Sequence, residues 1–267
     1  MPFSIATWNI NSVRLRAGLV EDFLKAHQPD ILCLQEIKCM NDQFPEKIFR
    51  RLGYEHQAVH GQKGYHGVAT ISKRPLNESY STDYVAMGDT RHLATSFELG
   101  NKISKVHNFY VPAGGDEPDI VKNAKFDHKL KFIDEMKSLH AMDSDIPSIL
   151  VGDLNIAPYE NDVWSHKQML KIVSHTPVET DGLLDILARG EWVDLMRQHI
   201  SHEEKLYTWW SYRAKDWAAS NRGRRLDHIW GAGELAEKLT GIKIITEARG
   251  WEKPSDHVPV IASFDLD

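Results

Sequence analysis

The 267-residue sequence contains little cysteine and has no long apolar segment. Its two cysteines, Cys33 and Cys39, are too few for a disulfide framework and lack the spacing of a zinc site. No apolar run approaches the ~18 residues of a membrane-spanning helix, and the first residues lack the pattern of a signal peptide. These absences exclude a disulfide-stapled secreted domain and a membrane-spanning protein, and they predict a cytoplasmic location.

The charge balance shows only a small excess of one sign. There are 32 Lys and Arg against 38 Asp and Glu, a net charge of -6. Any nucleic-acid role therefore requires a local basic face, because the average charge of the chain does not supply one. Hydrophobic residues make up 42%, which is typical of a folded protein with a sizeable core. Gly and Pro are scattered and form no linker, so we expect a single domain over residues 1–267.

Short apolar segments alternate with helical patterns along the chain. Strands are predicted at residues 4–8, 30–34, 67–71, 93–99, 106–111, 148–151, 226–230 and 258–264. Apolar residues at helical spacing predict helices after Ser12, a candidate N-cap, over residues 126–139, and over residues 183–187 with a stop at Gly190. Helices and strands intermixed over one domain predict an α/β fold of packed layers.

Acidic and amide side chains follow three of the predicted strands. Asn9 and Asn11 follow the first strand, Glu36 follows the second, and Asp153 and Asn155 follow the strand at 148–151. Taken alone, each group is also typical of an ordinary turn. Strand ends in α/β proteins form the rim where binding and catalytic sites are built, so their joint occurrence favours a site.

Three further residues extend this pattern. Asp227 lies within an apolar strand, where a carboxylate needs a partner, and Asp256 and His257 precede the last strand. Carboxylates gathered at one rim repel each other, and a hard divalent cation relieves that repulsion. No Ser or Cys has the setting of a nucleophile, so water is the predicted attacking group.

Six short motifs occur in an order that resembles a known family. They are WNIN at 8–11, LQE at 34–36, YVP at 110–112, GDLN at 152–155, RLD at 225–227 and SDH at 255–257. Together they resemble the exonuclease III and abasic-site endonuclease family of the endonuclease/exonuclease/phosphatase superfamily, over almost the whole chain. The resemblance implies a four-layer α/β sandwich, in which two packed mixed β-sheets are flanked by helices.

The resemblance also implies a Mg²⁺ or Mn²⁺ cofactor. The candidate ligands are Asn9, Glu36, Asp153, Asn155 and Asp256. Glu36 resembles the principal ligand of the family. Some relatives carry Asp where this chain has Asn11, which leaves the number and affinity of the cations open.

The reaction implied by the resemblance is attack of water on a phosphodiester. Tyr110 resembles the residue that contacts the scissile phosphate, and Asn155 resembles the residue that orients the water. Asp227 and His257 resemble the pair that polarises the phosphate or handles protons. Asp153 resembles the residue that positions or activates the water, and whether Asp153 or His257 takes its proton is open at this stage.

The segment 207–225 points to DNA as the substrate. Its aromatic residues are interleaved with Arg213, Lys215, Arg222, Arg224 and Arg225, and only Asp216 opposes these cations. Such a cluster combines phosphate contacts with flat stacking surfaces. The candidate DNA-binding residues are Arg91, Lys125, Trp209, Trp210, Arg213, Arg222 and Arg224. Trp209 and Trp210 are expected to wall a pocket that favours a bare deoxyribose.

These features predict a monomeric, metal-dependent DNA-repair phosphodiesterase acting on double-stranded DNA. It would cut 5′ to abasic sites and degrade DNA from 3′ ends. One alternative is a superfamily member acting on inositol phosphates or phospholipids, although no basic amphipathic helix for a membrane surface is evident. Another is a non-catalytic DNA-binding relative, which the competent side chains at every catalytic position disfavour.

Overall fold

The computed structural model describes residues 2–100, 102–143 and 145–266. The strands in these residues are β1 Pro2–Asn9, β2 Ile31–Gln35, β3 His56–His60, β4 Val68–Ser72, β5 Leu76–Tyr80, β6 His92–Leu99, β7 Lys102–Tyr110, β8 Met142–Asp143, β9 Ile146–Asp153, β10 Val193–Asp194, β11 Asp227–Gly231, β12 Leu239–Ile244 and β13 Val260–Asp265. The α-helices are α1 Ala17–His27, α2 Glu46–Arg50, α3 Ala124–Met136, α4 His166–Met169, α5 Pro177–Arg189, α6 Leu195–His199, α7 Trp217–Ser220 and α8 Gly233–Ala236. None of the helices in the described ranges is both long and apolar enough to cross a membrane.

The strands form two mixed sheets. The first has the order β12-β13-β1-β2-β4-β3, and the second has the order β10-β11-β9-β7-β6-β5, with β8 added beside β9. In the first sheet β1 and β2 are parallel. In the second sheet β7 and β9 are parallel. The strands on either side of each pair run antiparallel to it. Each sheet therefore has one parallel pair at its centre, and the two strands of that pair end at the same edge of the sheet.

The two sheets pack face to face through alternate residues of their strands. Ile31 and Cys33 of β2 meet Ile149 and Val151 of β9 in one buried cluster. The intervening residues point outward, because side chains alternate across a strand. Leu32 packs beneath α1 in a second cluster. Residues of β7, β9, α3 and α5 form a third cluster on the other side. The predicted four-layer α/β sandwich is therefore confirmed.

All eight predicted strands are present, with ends shifted by a few residues. The helix predicted at 183–187 is the second half of α5, and Gly190 is its C-cap as expected. Ser12 is not the N-cap of α1, because it lies in a turn with φ of 85° and the helix begins at Ala17 after Arg16. The edge strands β3, β5 and β12 were not predicted, since their polar, half-exposed sequences lack an apolar run.

Two histidines of the second sheet form a buried neutral pair. His92 Nε2 lies 3.1 Å from His107 Nδ1. The backbone N–H of Thr82 donates to His92 Nδ1, so His92 donates to His107 through Nε2. Burial lowers the pKa of His107 from 6.5 to about 3.

We expect the variant His107→Gln to tolerate acid better than the parent protein. Below pH 6.5 His107 is protonated in the unfolded chain but stays neutral in the folded protein. The free energy of unfolding therefore decreases as the pH falls towards 3. For one proton this decrease is about 1.4 kcal/mol per pH unit. Gln keeps a hydrogen-bond acceptor for His92 but does not bind a proton in this range. Urea unfolding at several pH values measures the slope. His140→Gln, at an exposed site, should keep the parent slope. Equal slopes for the parent and His107→Gln would contradict the prediction.

Candidate active site

Polar residues from both sheets meet at the carboxyl ends of the two parallel strand pairs. Asn9 ends β1, and its register with Gln35 places Glu36 just beyond β2. Tyr110 ends β7 opposite Asp153, the last residue of β9. Parallel strands deliver their terminal side chains to one edge, so these groups gather where the two sheets meet.

The remaining acidic and imidazole groups reach this edge from the opposite direction. Asp227 begins β11 and pairs with Asp153 in the antiparallel register. The turn before β13 carries His257 and is fastened to β1 at two points. The hydroxyl of Ser255 donates to the carbonyl oxygen of Asn9 at 2.7 Å, and Trp8 Nε1 donates to the carbonyl oxygen of His257 at 3.1 Å.

The amide of Asn9 links the two sheets. Its Nδ2 donates to Glu36 Oε1 at 2.9 Å and to Asp153 Oδ2 at 2.8 Å. Its Oδ1 accepts from the backbone N–H of Asn11 at 3.1 Å. In this arrangement Asn9 serves as a hydrogen-bond donor between the two carboxylates, and its role as a metal ligand stays a prediction.

Asn155 fixes the carboxylate of Asp153. Its backbone N–H donates to Asp153 Oδ1 at 3.0 Å, and its Nδ2 donates to Asp153 Oδ2 at 3.1 Å and to the carbonyl oxygen of Val111 at 2.9 Å. Burial raises the pKa of Asp153 to about 7; the charge of His257 opposes this shift and that of Asp227 adds to it. A carboxyl group with such a pKa is suited to exchanging protons near neutral pH.

His257 lies between two carboxylates. Its Nδ1 is 2.8 Å from Asp227 Oδ2, and its Nε2 is 3.6 Å from Asp153 Oδ2. Burial acts to lower the pKa of His257, but the charges of Asp227 and Asp153 outweigh it and raise the pKa to about 10. The imidazole is therefore held as a cation and a hydrogen-bond donor.

Tyr110 presents a protonated phenol. Burial raises its pKa well above 10, and the charges of Glu36 and Asp153 act in the same direction. Arg91 supports it from behind, with its guanidinium 4.9 Å from the centre of the Tyr110 ring and its Nε paired with Asp89 at 2.8 Å. Arg91 is buried, at 8% exposure, so the contacts observed for this predicted DNA-binding residue are within the protein.

A second set of contacts surrounds Glu36 and Asp256. Lys38 Nζ lies 2.9 Å from Glu36 Oε2 and donates to Asn11 Oδ1 at 2.6 Å. Asn11 Nδ2 donates to Asp256 Oδ1 at 3.1 Å, and Trp209 Nε1 donates to Asp256 Oδ2 at 2.9 Å. Burial acts to raise the pKa of Asp256, but the His257 charge and these hydrogen bonds hold it below its usual value.

Several site residues adopt left-handed backbone conformations. The φ angles are 49° at Asn11, 48° at Glu36 and 53° at Asn155. For a non-glycine residue this conformation costs of order 1–3 kcal/mol, and it persists where surrounding contacts enforce it. Gly152 has a different constraint, because a Cβ there would lie 2.0 Å from the carbonyl oxygen of Phe109 in the neighbouring strand. The motif at 152–155 thus needs glycine first so that Asp153 reaches the edge.

The site opens into a cavity of about 790 Å³. Glu36, Tyr110, Asp153, Asn155, Asp256 and His257 lie among its lining residues, together with Trp164, Trp209, Arg213, Arg222, Arg224 and Leu226. Arg224 stacks on Trp209 at 5.0 Å and Arg222 stacks on Trp164 at 4.7 Å. The cavity therefore combines an acidic floor with an aromatic and cationic wall.

Other residues of the predicted DNA-binding cluster lie elsewhere. Trp210 is only 3% exposed and belongs mainly to the core, although its edge reaches the cavity. Arg225 was predicted to be a surface cation, and this is wrong. It is fully buried and forms ion pairs with Asp162 at 2.9 Å and Asp194 at 2.7 Å. Lys125 lies on the exposed first turn of α3.

Sequence reasoning missed Trp164 and Lys38 as members of the site. Trp164 lies outside every motif, and only the tertiary fold brings it to the cavity. Lys38 follows Glu36 by two residues, and its left-handed φ of 52° turns the chain back towards Glu36. The sequence signal for Lys38 was the basic residue placed two positions after the acidic Glu36.

The residues present fit a divalent cation. Ligand atoms of Asp153, Asp227 and His257 lie within 4.8 Å of one another. Within the described part of the chain nothing donates to the buried Asp227 Oδ1. His257 Nδ1 is occupied by Asp227, whereas Glu36 and Asp153 are carboxylates that reach the open cavity, and oxygen donors suit a hard cation.

A family model described as the endonuclease/exonuclease/phosphatase family matches residues 6–257. The chain belongs to this family. Its members depend on divalent metal ions, in agreement with the carboxylates of Glu36 and Asp153 at the cavity.

Individual relatives resemble the chain over nearly its full length. Exodeoxyribonuclease III of Haemophilus influenzae is 31% identical over 97% of this chain and 98% of its own. The structure of an AP endonuclease from Archaeoglobus fulgidus superposes with a TM-score of 0.89 at 32% identity, covering 99% of this chain and 100% of that one. A 3′ phosphatase from Neisseria, bound to a product DNA hairpin, gives a TM-score of 0.85 at 30% identity, over 99% and 100% of the two chains.

We expect Glu36→Gln to weaken divalent-cation binding at least about tenfold. The substitution keeps the shape of the side chain but removes one charge and one anionic ligand from the family site. Titration calorimetry with Mn²⁺ alone measures the dissociation constant. Glu46→Gln, at an exposed position on α2, is the matched control and should bind as the parent does. Unchanged Mn²⁺ affinity in Glu36→Gln would show that Glu36 is not a principal ligand.

Proposed function

We propose that the protein is a divalent-metal-dependent DNA-repair nuclease that cuts 5′ to abasic sites and trims 3′ ends of double-stranded DNA. One arrangement carries the proposal: Asp153 and His257, which is paired with the buried Asp227, line a cavity whose wall carries stacked Trp and Arg. The nuclease, AP endonuclease and 3′ phosphatase relatives, one of them bound to DNA, support this substrate.

Glu36 and Asp153 are the residues that would hold the cation. Lys38 already offsets part of their charge and Asn9 donates a hydrogen bond to each, so a cation would balance the negative charge that remains. Mg²⁺ or Mn²⁺ bound there supplies Lewis-acid stabilisation of the phosphate oxygens. We propose Mg²⁺ as the working ion, because the donors are oxygen atoms.

Asp153 is the proposed group that positions the attacking water and takes its proton. Two amides hold its carboxylate in one orientation, and it faces the cavity. His257 is unsuited to that role because Asp227 and Asp153 keep its imidazole charged. It instead donates from Nε2 to a phosphate oxygen, where negative charge develops in the transition state.

Tyr110 and Asn155 complete the phosphate site. The buried phenol of Tyr110 stays protonated and donates to a second phosphate oxygen. Asn155 holds Asp153 and borders the cavity, so its side chain lies beside the attacking water.

The cavity wall supplies selection for a nucleotide without its base. Trp209 and Leu226 offer an apolar surface, and Arg222 and Arg224, which stack on indole rings, add positive charge beside it for phosphate. An abasic nucleotide has no stacking of its own to lose, so its extrusion costs less than the few kcal/mol of an intact base. The monomeric state stays a prediction. The cytoplasmic location stays a prediction.

We expect Asp153→Asn to reduce nicking of a duplex with one tetrahydrofuran abasic analogue by about 10³-fold or more. The amide keeps the size of the side chain but cannot accept the proton of water. Gel analysis of a 5′-labelled strand in Mg²⁺ measures the rate, and gel shift in EDTA measures DNA binding, which should persist. Asp181→Asn, on the exposed face of α5, should cut normally.

The same assay separates the alternative functions. The proposal requires a nick 5′ to the lesion with Mg²⁺ and none with EDTA. Tight binding without a nick in the parent protein would favour a non-catalytic DNA-binding role. Turnover of inositol phosphates alone would favour the phosphatase alternative, and normal cutting by Asp153→Asn would remove the role proposed for Asp153.

We expect Arg222→Ala to weaken DNA binding and to lower its dependence on salt. Each phosphate contact releases condensed counterions, so losing one reduces the slope of log K against log salt by about 1. Fluorescence anisotropy of a labelled duplex in EDTA at several salt concentrations measures this slope. Lys102→Ala is the control, because Lys102 lies at the opposite end of β7 from Tyr110 and pairs with Glu234. Equal slopes for the parent and Arg222→Ala would exclude a phosphate contact.

A further inference from the structure

A fully buried lysine lies behind the active site. Lys129 of α3 has a side-chain exposure of 0%, as does its partner Glu179. Its Nζ donates to Glu179 Oε1 at 2.5 Å, to the carbonyl oxygen of Asn155 at 2.8 Å and to that of Ala113 at 3.4 Å. The three N–H groups of the ammonium therefore have three acceptors, and two of these belong to segments that line the cavity.

The hydrogen bond from Lys129 to the carbonyl oxygen of Asn155 fixes the turn that contains Asn155. The peptide N–H of Asn155 is held by Asp153 Oδ1 and its carbonyl oxygen by Lys129, so both ends of this left-handed residue are anchored. Release of either anchor would let the strained backbone relax. The side chains of Asn155 and Asp153 would then leave their mutual geometry.

Glu179 connects the same lysine to the cavity wall. Its carboxylate accepts from the N–H of Ser174 at 2.9 Å and from the hydroxyl of Thr176 at 2.6 Å. The hydroxyl of Ser174 accepts in turn from Arg224 Nη1 at 2.9 Å. A continuous set of hydrogen bonds therefore joins the catalytic turn to the arginine that stacks on Trp209.

The loop after Tyr110 is seated on the lysine stem. A Cβ at Gly114 would lie 2.8 Å from Lys129 Cδ, and Gly114 has a φ of 85°. The glycine thus allows the loop at 113–115 to pack directly on the buried stem. The position of Lys129 sets the position of this part of the cavity.

Burial of such a pair is a poor route to stability. Desolvation of two charges commonly cancels their attraction, and apolar residues of similar volume often serve as well. What the ammonium offers, and an apolar side chain does not, is directed hydrogen bonding to two backbone carbonyls.

We propose that Lys129 and Glu179 are positioning residues that hold the Asn155 turn, and through it Asp153, in the reactive geometry. The effect on catalysis rests on the proposed nuclease function, whereas the effect on the backbone does not. Displacement of a catalytic group by about 1 Å is enough to cost on the order of 100-fold in rate.

The test compares Lys129→Met with Arg197→Met. Arg197 is in a buried ion pair with Asp162 at 2.6 Å, which makes it a matched control for the loss of a buried charge. Lys129→Met should lower kcat on the abasic duplex by about 10- to 100-fold and change KM less than about twofold, because Glu179 still holds Ser174. Arg197→Met should destabilise the fold but keep kcat within about twofold of the parent.

A double-mutant cycle identifies the route of the effect. In an Asp153→Asn background, Lys129→Met should cost less than about a further threefold, because the side chain that the turn positions can no longer accept the proton of water. A full loss in that background would overturn the proposal, as would parent-like kcat in Lys129→Met. If Lys129→Met does not fold, the same cycle with Glu179→Gln, which keeps the shape of the carboxylate, decides between these outcomes.

Hydrogen exchange measured by mass spectrometry tests the backbone effect without any activity. Lys129→Met should exchange at least about tenfold faster than the parent in peptides covering residues 153–157 and 113–115, and Arg197→Met should not. Parent-like exchange there would overturn the proposal. An inactive parent protein with this exchange pattern would instead refute the nuclease function and leave the positioning role supported.

Discussion

The two hydrogen bonds from the Asn9 amide connect a carboxylate of one sheet to a carboxylate of the other. Without them Glu36 and Asp153 would face each other only as like charges, which repel at short range. Glu36, Asp153, Asp227 and Asp256 provide four carboxylates around this link, whereas His257 and Lys38 provide two cationic groups. The difference is two negative charges when all are ionised, which is the charge that one divalent cation balances.

This link requires the two sheets to keep a fixed alignment. Gln35 and Asn108 provide it directly below the site, one and two residues before Glu36 and Tyr110. Gln35 Nε2 donates to Asn108 Oδ1 at 2.8 Å, and Asn108 Nδ2 donates to the carbonyl oxygens of Leu34 and Ala69 in the facing sheet. Apolar packing between sheets has no direction of its own, so buried polar contacts of this kind define how the two edges face each other.

The sequence predicted the features that depend on neighbouring residues. It failed for side chains whose environment is set by segments distant in the sequence. Apolar runs that end in Asn9, Glu36 and Asp153 identified both the strands and the edge at which they end, since strand ends and polar residues are read from adjacent positions. Arg225 was misread as a surface cation because its partners Asp162 and Asp194 are 63 and 31 residues away. Trp164 and the Lys129–Glu179 pair were missed for the same reason, because only folding brings them to the cavity.

The separation of charge within the cavity explains how a chain with a net charge of -6 is suited to DNA. Arg213, Arg222 and Arg224 lie on the wall, and the carboxylates lie at the floor behind them. A phosphate is therefore attracted to the wall and repelled by the floor until a divalent cation occupies it. Binding of the cation and binding of the scissile phosphate must then favour each other, because each reduces the electrostatic cost of the other, and this coupling is reciprocal. With the cation at the proposed site, the acidic floor would limit productive binding to the metal-loaded protein, while contacts along the cationic wall would remain available without it.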